Sequence, residues 1–135
     1  MISMDELLNK KYKLEDQSVE TQANLKILLE KINQIRTLWA KPMNVTSGLR
    51  NMEDHLRIYA AKGITDKAKI PMKSKHLYGQ AVDISDPNQN LQKWCKVNES
   101  VLEKVGLWME DFSATPTWCH FQVVPPKSGK RWFLP

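Results

Sequence analysis

Between residues 18 and 39 the apolar side chains fall at Leu25, Leu28, Leu29, Ile32, Ile35, Leu38 and Trp39. Intervals of three and four gather them into one stripe of an α-helix, with Lys26, Glu30, Lys31 and Arg36 off it. A helix this long and apolar along one side must bury that side against something, and the rest of the chain has to supply the surface. Pro42 stops the helix.

Beyond Pro42 the chain reads as short strands and further helices. MNVTSG (43–48) places β-branched Val45 and Thr46 before a glycine turn, which suits a strand. Asn51 can cap a second helix through about Lys62, with Met52, Leu56 and Tyr59 inward and Gly63 as its stop. Residues 63–75 are basic and carry few long apolar side chains, so they read as a loop. Ala81–Ile84 reads as a strand. Ser85-Asp86-Pro87 then opens a third helix, striped by Leu91, Trp94, Val97, Val101, Leu102 and Val105 and ended by Gly106. Leu107–Met109 and Trp118–Val124 read as two more strands, and PPKSGKRWFLP as a tail wrapping the surface. The expected fold is one α+β domain, with helices on one side of a small, mostly antiparallel sheet.

Composition excludes several classes. The longest run of hydrophobic residues is Ile58-Tyr59-Ala60-Ala61, whereas a membrane-spanning helix needs about 20, so no membrane insertion is expected. MISMDELLNKK has Asp5 and Glu6 where a secretory signal would carry positive charge and an apolar run, so the chain is expected to be made in the cytoplasm without one. Two cysteines, Cys95 and Cys119, are too few for a disulfide scaffold and lack metal-type spacing. Lys and Arg outnumber Asp and Glu by 20 to 15, but the excess is scattered and no nucleic-acid motif accompanies it. A nucleic-acid partner is not expected; an anionic cell wall would attract the same charge.

The chemistry concentrates in Ser74-Lys-His76-Leu-Tyr-Gly79-Gln-Ala-Val-Asp83-Ile. Seven steps of straight strand span about 23 Å, so His76 and Asp83 meet only if the chain folds back between them. Gly79 permits such a turn. An imidazole and a carboxylate brought together are two common zinc ligands, and a catalytic zinc takes three protein ligands with a fourth position left open. Of the three histidines, His120 sits on the expected last strand, where alternation sends Trp118, His120 and Gln122 to one face and Cys119 and Phe121 to the other. His55 reads as a surface residue. On spacing alone, the alternative is a purely structural His76 beside a glycine turn.

SKHLYGQAVDI resembles the SxHxxGxAxD signature of zinc-dependent murein peptidases of the D-alanyl-D-alanine carboxypeptidase family. That family includes vancomycin-resistance-type carboxypeptidases and phage endolysins. Asn44-Val-Thr-Ser-Gly-Leu-Arg50 is similar to the family's vtSGyR segment, and Trp118-Cys119-His120 to its WxH element. The three blocks occur in the family's order over residues 40–124, leaving 1–39 as a helical entry and 125–135 as a tail. The resemblance implies one zinc ion per chain held by His76, Asp83 and His120. It also implies a substrate-facing Arg50, a hydrogen bond from Ser74 near the site, and Trp118 beside the metal.

One position departs from the pattern. Many relatives carry the general base three residues before the last histidine, where this chain has Thr117, which cannot take a proton from water near neutrality. The nearest upstream carboxylates are Glu110 and Asp111. Glu110 is preferred for its longer reach. The implied substrate is the peptide stem of peptidoglycan, cut by a monomer that acts after release through a membrane pore, as a phage-type lysis enzyme would. The alternative is a wall-binding or virion module that holds zinc without cutting, with Thr117 as its support.

Overall fold

The computed structural model describes residues 1–135. The long apolar stripe forms α2 (Val19–Trp39), after a short α1 (Met4–Leu7) whose Ser3 and Glu6 close a capping box. Ser18 caps α2 by accepting from the Thr21 amide, and Ala40 ends it in a left-handed conformation, two residues before Pro42. Leu25, Leu28, Ile32 and Ile35 are fully buried, while Leu38, near the C-terminal end of the stripe, is exposed.

Five strands form one sheet in the order β1-β2-β4-β3-β5. They are β1 (Val45–Ser47), β2 (Ala81–Ser85), β3 (Trp108–Glu110), β4 (Trp118–Gln122) and β5 (Trp132–Phe133). Three pairings are antiparallel, and β3 with β5 is parallel. Val82, Ile84, Met109, Cys119 and Phe121 point to one face and join a core with Leu7, Leu25, Leu28, Ile32, Leu91, Cys95 and Leu102. That core lies between the sheet and α1, α2, α4 (Asn90–Val97) and α5 (Glu99–Val105). The remaining helix, α3 (Met52–Ala61), adds nothing to it. Alternation sends Asp83, Glu110, His120 and Gln122 to the other face.

Four local expectations are corrected. The third helix is two, because Asn98 interrupts it: both its amide and its side-chain nitrogen donate to the Trp94 carbonyl, and Val97 is left exposed. It also begins later than Asp86. Asp86 instead turns its carboxylate to the free amides of Leu91 and Gln92. The tail does not merely wrap the surface; Met109 and Asp111 amides donate to the Arg131 and Phe133 carbonyls, adding β5 and burying Phe133. Met52 is exposed rather than inward.

The N-terminal segment braces the sheet. Leu49 donates its amide to the Leu7 carbonyl at 2.7 Å, and the Asn9 side chain spans Gly48 N–H and the Leu49 carbonyl. A Cβ on Gly48 would stand 2.2 Å from Leu7 O, so the glycine is what lets the two backbones approach.

Candidate active site

The register of β2 against β4 sets Asp83 directly opposite His120. His76 arrives from a 3-10 turn, Lys75–Tyr78, closed by Gly79 at φ +70°. The fold-back expected at Gly79 is present, and α2 holds it: Asn24 donates to the Tyr78 carbonyl, and Leu25 packs where a Cβ on Gly79 would sit. His76 Nε2 and His120 Nδ1 lie 3.3 and 3.0 Å from the same carboxylate oxygen of Asp83. All three residues are buried, and one ligand atom from each lies within 4.8 Å of the others.

The donor set suits zinc. Two imidazole nitrogens and a carboxylate oxygen are ligands that ion commonly takes, three in number. The far side of the His76 ring is also satisfied: Nδ1 lies 2.9 Å from the Gly48 carbonyl, which only accepts, so Nδ1 carries the hydrogen and Nε2 presents its lone pair. This group could hold a metal ion.

Electrostatics bind the three together. Burial pushes the Asp83 carboxyl up, but the charges and hydrogen bonds of His76 and His120 outweigh it and hold the group well below the usual carboxylate range. Burial also lowers the His76 pKa, and Asp83 only partly opposes it. For His120 burial is outweighed by the hydrogen bond and charge of Asp83, helped by Glu110, so its pKa rises.

Arg50 and Glu110 adjoin this group. Arg50 follows β1; its Nε donates to Ser47 Oγ at 3.0 Å, and a terminal nitrogen lies 3.7 Å from Asp83 Oδ2. Its amide donates to the His76 carbonyl, joining the two motif blocks. Glu110, at the end of β3, sets a carboxylate oxygen 3.8 Å from His120 Nδ1. The adjacent Asp111 instead accepts from the backbone and hydroxyl of Ser113, which hold its pKa down. Trp118 is half-buried at the start of β4, on the His120 face. Ser74 opens the 3-10 turn, and its side chain does not cap it. Thr117 is exposed and joins the Asp86 amide through its carbonyl.

His55 is not a surface residue. It is fully buried, with Nε2 donating to the Pro71 carbonyl and its ring edge-on to Tyr59. Position 55 lies on the same helical side as Leu56 and Tyr59, so the spacing carried the signal although the residue type did not. Sequence reasoning also passed over Ser47, the Gly48 carbonyl and Phe133, whose ring lies 6.1 Å from that of His120. The first two lie inside the VTSGLR block; nothing in the tail marked Phe133.

A family model described as Peptidase M15 matches residues 1–114. The matched span includes Arg50, Ser74, His76, Asp83, Glu110 and Asp111 and ends before Trp118 and His120. No curated protein and no solved structure matches the chain.

Proposed function

The chain belongs to the peptidase M15 family, and on that footing we propose that it is a zinc-dependent peptidase cutting the peptide stem of bacterial peptidoglycan. The observation that carries this reading is the convergence of His76, Asp83 and His120 ligand atoms within 4.8 Å, with Glu110 3.8 Å from His120. A zinc ion held by these three residues supplies Lewis acidity for the scissile carbonyl and for water.

The remaining steps fall to side chains. Arg50 presents planar, paired donors to a peptide carboxylate or carbonyl and fixes the stem over the site. Glu110 takes a proton from the attacking water and passes it to the departing amine. Ser74 and Trp118 line the path of the peptide. Asp111, held by Ser113, takes no part.

We infer a phage-type lysis role because the SKHLYGQAVDI block resembles endolysins as well as carboxypeptidases. Product masses decide between release of a terminal D-alanine and opening of an internal bond. The zinc reading is tested by metal content: His76→Ala, Asp83→Ala and His120→Ala should each lose metal and turnover. Full zinc occupancy in all three would sink it.

A further inference from the structure

β4 ends on Gln122, two residues past His120 on the same face and buried to 4% exposure. The Gln122 amide nitrogen donates to the Val124 carbonyl at 2.9 Å. A carbonyl only accepts, so the amide nitrogen must face Val124 and the amide oxygen must face His120. That oxygen lies 2.8 Å from His120 Nε2. It too can only accept, which places a hydrogen on Nε2. With that hydrogen kept on Nε2, Nδ1, the atom turned toward Asp83 at 3.0 Å, is the nitrogen that can give up its own hydrogen and offer a lone pair to a metal.

We propose that Gln122 is a positioning residue that selects the Nε2–H tautomer of His120 and so presents Nδ1 as the metal ligand. The inference rests on the zinc reading above and adds a residue outside the three motif blocks. His76 is its mirror image: the Gly48 carbonyl takes the Nδ1 hydrogen and leaves Nε2 for the metal. The two rings thus offer opposite nitrogens, each chosen by a fixed acceptor behind it. One acceptor is main chain and cannot be substituted; the other is a side chain and can.

The test compares zinc affinity, by competition with a chelating dye, in the wild type, Gln122→Met and Gln122→Glu. Loss of a partner behind a ligating histidine weakens metal binding about 10- to 100-fold, and Gln122→Met should fall in that range. Gln122→Glu keeps an acceptor facing Nε2 but gives up the donation to Val124, so its affinity should stay nearer the wild type. Equal weakening in both variants would mean that Gln122 matters only for closing the strand end, and equal affinity in all three would mean that it does not matter. Either result overturns the inference alone. Zinc bound by none of the three overturns the metal reading and this inference with it. A long-range 1H–15N spectrum of the zinc-loaded wild type needs no variant to fold: it should show His120 protonated at Nε2 and metal-bound at Nδ1, and the reverse pattern overturns the proposal.

Discussion

Glu110 and Asp111 are neighbours with different surroundings. One sets its carboxylate 3.8 Å from a buried imidazole, and the other spends its own on Ser113. Positioned acid–base groups contribute about 10²–10⁴-fold, so Glu110→Gln should retain zinc and lose activity in that range, while Asp111→Asn should be nearly silent. Activity assays beside metal analysis check this, and the reverse pattern would move the base to Asp111. Arg50→Lys should keep zinc yet lower kcat/KM about 10- to 100-fold, the scale of a hydrogen bond to a charged group, because an ammonium cannot reproduce the fork. Normal kinetics would leave Arg50 only its bonds to Ser47 and Asp83. At this scale residue type singled out His76, Asp83 and His120, whose ligand atoms the fold brings within 4.8 Å of one another. It misled at His55, where polarity suggested solvent and the packing against Tyr59 and Pro71 enforces burial.

Elements place these residues, and two of the placements hang on glycine. Gly79 turns the chain so that His76 meets Asp83, and Gly48 lets Leu7 approach while its carbonyl holds the His76 ring. Gly48→Ala forces a methyl group onto the Leu7 carbonyl, so thermal melting should show a loss of about 1–3 kcal/mol, as overpacking commonly costs. An unchanged Tm would mean that the N-terminal segment yields freely. The α2 stripe and the β2 and β4 strands were legible because each repeats a period over several residues. The break at Asn98 was not, since the apolar stripe runs across it and only a local side-chain bond to Trp94 decides the matter. β5 has two residues, too few for any periodicity, and exists because β3 offers it an edge.

Across the whole molecule, one sheet face is the core and the other carries Asp83, Glu110, His120 and Gln122, and the sheet joins segments distant in sequence. That order could not be read from the chain, because the position of β5 beside β3 depends on a tail with no strand pattern. Burial has a consequence for acid stability. It lowers the His55 pKa, with the charges of Arg50 and Lys62 adding to the effect. The folded state therefore resists a proton that the unfolded chain accepts. Stability from this group is complete above the unfolded pKa of about 6.5 and is lost as pH falls below it, by up to about 1.4 kcal/mol per pH unit. Denaturant melts of His55→Phe between pH 7.5 and 5 should show a shallower acid loss than the wild type, with zinc content unchanged. An equal slope in both would show that His55 carries none of the acid dependence. The proposed metal site and base would act together only in the whole assembly, and purified peptidoglycan tests that assembly most directly. Incubated with the zinc-loaded protein, it should release new amino groups and stem-peptide fragments identifiable by mass, with the release stopped by a chelator and restored by added zinc. A folded, zinc-loaded protein that leaves every stem peptide whole would contradict the peptidase reading.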